Sequence, residues 1–167
     1  MALRLPLATA AQVYGCAIFL VGIVVTLYGY AVVPAEAAQQ GQLLQTTNTG
    51  NTGSVESPTP VNFIGLVIFG QSVLMGASIA WPVGAFGVAF QVWRRVRLLI
   101  LLAASAALGA MGAALVLAWQ SLCRGTQCVP TGIRDAGFGM ILSCIGLLGI
   151  AYGAWATSAR SIPHPAP

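Results

Sequence analysis

The chain has 167 residues, of which 57% are hydrophobic and 6% charged, with a formal net charge of +4. A soluble domain carries about 25% charged residues, so this composition excludes water as the medium around most of the surface. The basic residues, all arginine, are scattered rather than gathered into a broad patch, which argues against nucleic acid as a partner.

Four apolar stretches fill most of the chain, at residues 11–33, 61–92, 96–119 and 136–157. Crossing a hydrocarbon layer of about 30 Å takes about 20 helical residues. An all-α integral membrane protein is therefore expected: one domain over residues 1–167, with four transmembrane helices in an antiparallel bundle. The first stretch is followed by Ala35-Glu36-Ala37, which has the small-x-small form of a signal cleavage site. Its apolar core is longer than the 7–15 residues or so of a signal h-region, so a retained span is expected. Within it Gly15, Gly22 and Gly29 recur every seven residues, on one helical face. Small residues let helix backbones approach closely, which is where packing gain arises in lipid.

Residues 34–60 change character abruptly. Gln39, Gln40, Gln42 and Gln45 are followed by a Thr/Asn/Gly run and by Ser57-Pro58-Thr59-Pro60. Few apolar side chains are present to offset ordering the backbone, so a mobile polar outer loop is expected, with the first helix extending a turn or two into Ala35–Leu44. No Asn-x-Ser/Thr triplet occurs, so N-glycosylation is not expected. Thr59-Pro60 has the form of a helix start, with a hydroxyl N-cap and proline at the first helical position.

The second span is long. Its apolar character continues past Trp81 and Pro82 to residue 92, and a kink is expected near Pro82, which removes a backbone donor and crowds the preceding turn. Gln71 and Ser72 are its deepest polar residues, read as intramembrane interhelical contacts or, in a sharper reading, as contacts to a solute. The run Trp93-Arg94-Arg95-Val96-Arg97 follows. Arg94, Arg95 and Arg97 are expected to anchor this turn at the cytoplasmic face beside anionic lipid; docking of an acidic partner or a lipid headgroup is the alternative.

The third span is alanine-rich, and the short outer loop 120–135 carries Cys123 and Cys128. In an oxidising compartment these two can close a disulfide that pins the hairpin between spans three and four. Thiol-disulfide exchange is a weaker reading, because the motif that lowers a thiol pKa is Cys-x-x-Cys; zinc is weaker still, for want of ligands. The fourth span contains Gly146, Gly149 and Gly153, the last two in a small-xxx-small pattern. Asp135, beside Arg134, reads as a local ion pair at the start of this helix. Cys16 and Cys144 lie inside spans and read as small buried apolar residues.

No span contains a histidine; His164, the only one, lies in the Pro-rich tail. An axial haem ligand of the usual kind is thus missing, and neither cofactor nor metal is expected. No ionisable residue lies near the middle of a span, which argues against a proton-coupled transporter. Tyr14, Tyr28, Tyr30, Trp93, Trp119 and Trp155 fall near span ends, as an interfacial aromatic belt does.

Arg4, Arg94, Arg95, Arg97 and Arg160 fall on one side of the four spans, without an acid. The other side holds Arg124 and Arg134 with Glu36, Glu56 and Asp135. Arginine-rich short loops stay in the cytoplasm, so both termini are expected there, in a multi-pass protein of the cell membrane. No motif names a family. The reading that fits is a non-catalytic accessory or structural subunit of a larger membrane assembly, not an enzyme, with membrane lipids and other subunits as partners. A small oligomeric channel or transporter using Gln71, Ser72 and Ser105, and an outer-face thiol-disulfide protein using Cys123 and Cys128, are the alternatives.

Overall fold

The computed structural model describes residues 7–47, 60–90, 92–122 and 130–159. They form four helices: α1 (Leu7–Thr47), α2 (Pro60–Ala89), α3 (Arg94–Leu122) and α4 (Thr131–Ala159). Each is long and apolar enough to cross a membrane, as a multi-pass membrane protein requires. A helix satisfies its backbone hydrogen bonds internally, the condition that hydrocarbon imposes on a spanning segment. The outward surface is apolar as well: Leu20, Val24, Ile68, Met75, Ile79, Leu99 and Leu117 are all exposed. Helices that are apolar all round belong in lipid or in the core of a much larger protein.

α4 is the most enclosed of the four. It packs chiefly on α1 and then on α3; α2 packs on α3 and meets α4 at few points. The chain-neighbour order around the bundle is therefore α1, α4, α3, α2, and the α1–α2 side is largely open. α4 serves two neighbours with two adjacent heptad stripes. Gly132, Gly139, Gly146 and Gly153 face α1. Ile133, Met140 and Leu147, all fully buried, join Leu101, Leu108 and Leu115 of α3 in the apolar core. A sustained seven-residue repeat keeps each stripe facing its neighbour along the whole helix.

Three boundaries depart from the sequence reading. α1 runs through Pro34 to Thr47, the extension into Ala35–Leu44 that the sequence leads one to expect and three residues more; the rest of the expected outer loop, residues 48–59, lies outside the described residues. One helical bond is lost at Pro34, but Ala35, Ala37, Ala38 and Gln39 favour helix, and Glu36 is tied to α4. α2 continues through Pro82 as one long helix, as expected, but ends at Ala89 rather than at residue 92. α4 starts at Thr131 rather than at residue 136; the Glu36 carboxylate holds its first two residues, and Arg134 and Asp135 pair with each other at 3.0 Å.

Candidate functional site

The most closely packed polar and glycine-lined surface is the seam between α1 and α4. A methyl group added at Gly15 would stand 2.7 Å from the Gly146 carbonyl oxygen, one at Gly22 2.5 Å from the Ser143 nitrogen, and one at Gly29 2.6 Å from the Ala136 nitrogen. The reverse side matches: at Gly146 it would meet the Phe19 nitrogen at 2.5 Å, and at Gly153 the Ala8 oxygen at 2.6 Å. Residue numbers fall on α4 as they rise on α1, so the two helices run in opposite directions. Only a missing Cβ permits backbone to lie on backbone in this way. Gly149 is different: a Cβ there would find its nearest neighbour, the Ala11 oxygen, at an ordinary 3.4 Å.

Two hydroxyls sit inside the seam. Thr26 Oγ1 donates to the Gly22 oxygen at 2.8 Å and stands 3.4 Å from the Ala136 oxygen across the seam. Ser143 Oγ donates to the Gly139 oxygen at 3.1 Å, with the Phe19 oxygen at 3.5 Å. Both residues are fully buried. Each hydroxyl is satisfied on its own helix and leans towards the partner.

At one end of the seam the Glu36 carboxylate receives the Thr131 hydroxyl and the Gly132 N–H, the latter at 3.1 Å. These are the first residues of α4, whose initial N–H groups lack intrahelical partners and carry partial positive charge. Beside them the Arg134 guanidinium lies 5.2 Å over the Trp119 ring, and the Tyr30 hydroxyl donates to the Gly70 oxygen.

The opposite end is basic. The start of α1, the end of α4 and the α2–α3 turn meet around a cavity of about 450 Å³ whose lining includes Gln12, Trp93, Arg94, Arg97, Thr157 and Ser158. Arg97 Nε donates to the Gly87 oxygen at 2.9 Å, closing one of the carbonyls that the end of α2 leaves open. Arg95 is exposed on the same turn. Glu36 and the Arg94–Arg97 turn thus lie at opposite ends of α4.

Gln71 and Ser72 are exposed on α2. Ser72 Oγ donates to the Ile68 oxygen of its own helix. Gly70, next to them, faces Tyr30 and Ile133, so the pair stands level with the first turn of α4, while Trp81 lies nearer mid-bundle. Ser105, by contrast, is buried and bonded to the Leu102 oxygen; it stands at the level of Gly84, which faces Ala104, about 20 Å along α2 from Gln71. The structure does not bring these three polar groups together. Cys16 and Cys144 are free and half-buried. Cys123 and Cys128 lie outside the described residues, and so does their proposed bond. Among the described residues no three His, Cys, Asp or Glu side chains gather into a metal-binding group.

Sequence reasoning saw the α1 glycines and missed their partners Gly132 and Gly139, although the same seven-residue period runs from Gly132 to Gly153. It also missed Glu36 as a tie between helices; an acid at the end of one span and a helix start elsewhere give no signal that they meet. Set against known protein families, curated proteins and solved structures, the chain matches none.

Proposed function

We propose that this chain is an integral protein of the cell membrane, with both termini and the Arg94–Arg97 turn in the cytoplasm, and that it is a non-catalytic accessory or structural subunit of a larger assembly. α2 bends at Pro82 in this reading, where the Ser78 carbonyl loses its helical donor. One observation carries the proposal. Gly15, Gly22 and Gly29 of α1 are used up inside the chain, against α4, whereas α2 keeps a seam directed away from its own bundle. Ile64, Ile68, Gln71, Met75 and Ser78 are all exposed and follow the alternating four-and-three spacing of a helix-pairing seam.

Lipid satisfies the apolar members of that seam, and the Ser78 hydroxyl donates to the Met75 oxygen at 2.6 Å. Gln71 has no hydrogen bond to another described residue. An amide in that position both donates and accepts, and a helix of another subunit laid on the seam meets both needs. The test is photo-crosslinking from positions 68, 71 and 75, with positions 21 and 24 on the exposed face of α1 as controls, in the native membrane. Discrete polypeptide adducts from α2 but not from α1 are expected. Lipid adducts alone from both faces would refute the subunit reading.

A further inference from the structure

The cavity at the basic end has a chemistry that the accessory-subunit reading leaves unused. It is assembled from three distant parts of the chain: Gln12 of α1, Arg94 and Arg97 of α3, and Thr157 and Ser158 of α4. The two acids in the described helices, Glu36 and Asp135, are engaged at the opposite end, on α4's first turns and on Arg134. Among the described residues that line the cavity none is acidic, and two are arginines, Arg94 and Arg97. The first turn of α3 adds N–H groups without intrahelical acceptors and the positive end of a 29-residue helix.

Arg97 is held in place by its Nε bond to Gly87, which leaves the two terminal nitrogens of the fork to meet a ligand. A guanidinium presented in this way matches the oxygens of a phosphate. The last carbonyls of α4 bring partial negative charge, but Thr157 and Ser158 direct their hydroxyls at the Gly153 and Ala154 oxygens and cover part of it. A volume of about 450 Å³ falls within the usual range for small-ligand sites and exceeds what a bare phosphate fills. Trp93 stands 85% exposed at the rim, the placement of an aromatic side chain at headgroup level.

We propose that this cavity binds an anionic phosphoester, with Arg94 and Arg97 on the phosphate and Gln12 on the adjoining ester or alcohol oxygens. A phospholipid headgroup and a soluble phosphate ester share this chemistry; the position of Trp93 favours the lipid. The inference depends on the chain lying in a membrane, but not on its having a protein partner.

The test uses the purified full chain in mild detergent, titrated with phosphatidylglycerol, phosphatidylcholine or glycerol 3-phosphate, with bound species counted by native mass spectrometry. Phosphatidylglycerol is expected to bind with one tight site, and Arg94→Gln to weaken it about tenfold, the worth of one charge-assisted hydrogen bond. Arg97→Gln should weaken it at least as much; because Arg97 also caps α2, the exposed Arg94 variant is the decisive one if Arg97→Gln fails to fold. Arg95→Gln removes the same charge from the same turn without touching the cavity and should change affinity little. Displacement by millimolar glycerol 3-phosphate would support the site and identify a soluble occupant. Equal loss in the Arg94 and Arg95 variants, or equal retention of phosphatidylcholine, would overturn the proposal. A failed photo-crosslink on α2 leaves these outcomes unaffected, so the two readings fall separately.

Discussion

Glu36 caps a helix to which it does not belong: its carboxylate accepts the Gly132 N–H at 3.1 Å and takes the Thr131 hydroxyl as well. The contact joins the upper part of α1 to the first turn of α4 and offsets an otherwise open helix end. Glu36→Ala should lower the stability of the bundle by about 1–2 kcal/mol, the usual worth of a cap reinforced by charge. Glu36→Gln, which retains an acceptor but not the charge, should fall between. Equilibrium unfolding in mixed micelles, followed by helix content, measures both.

The α1–α4 seam makes a sharper distinction among glycines of similar appearance. Gly22→Ala would force a methyl group to within 2.5 Å of the Ser143 backbone, and backbone cannot step aside as a side chain can. A loss of about 1–3 kcal/mol is expected from such overpacking. Gly149→Ala, with 3.4 Å to its nearest neighbour, and Gly65→Ala, with nothing within 4 Å, should be neutral or slightly stabilising, since alanine is the better helix former. The same unfolding measurement on the three variants reads the order directly.

Shape should outweigh hydrogen bonding in this seam. Thr26→Val keeps the volume and removes a hydroxyl whose shorter bond, 2.8 Å, is to its own helix and whose approach to Ala136 is 3.4 Å. Interhelical side-chain bonds in membranes average about 0.6 kcal/mol, so Thr26→Val should cost less than Gly22→Ala. A double variant, Thr26→Val with Ser143→Ala, that cost more than Gly22→Ala would reverse that ranking.

Much of this was legible because the medium leaves a coarse mark. Four long apolar runs can be counted without knowing what they touch, and the period of Gly15, Gly22 and Gly29 marks a contact face on α1. What the face contacts is a pairing property. The α4 stripe of Gly132, Gly139, Gly146 and Gly153 has the same period, but Gly149 sits off that face and with Gly153 makes a more familiar pattern that draws the eye. The level of Gln71 depends on how far α2 is slid along α3, which no local residue pattern encodes. The continuation of the first helix past Pro34 is legible in Ala35–Leu44, but the contact that ties it down, the Glu36 carboxylate on the Gly132 N–H, joins residues nearly a hundred apart. The cavity at Arg94 and Arg97 draws on three separate segments, and only one of them, the arginine run, stood out by itself.

Arg97 and Arg95 share a turn but not a role. Arg97 donates to the Gly87 oxygen, and Arg97→Ala should cost about 0.5–1.5 kcal/mol, the net value of one such bond. Arg95 is exposed, and Arg95→Ala should be close to neutral for unfolding; under the proposed topology it should weaken retention of the turn on the cytoplasmic side, since each arginine near an anionic surface contributes about 1 kcal/mol. Comparing unfolding with membrane topology for the two variants separates the capping role from the anchoring one.

The most direct measurement is sided labelling of single cysteines placed at Gln39 and at Arg95, in a chain otherwise free of cysteine, with a membrane-impermeant maleimide on intact cells. Position 39 should react from outside, and position 95 only after the membrane is opened. Reaction of both positions from the same side would contradict a four-span bundle whose Glu36 and Arg94–Arg97 ends face opposite compartments.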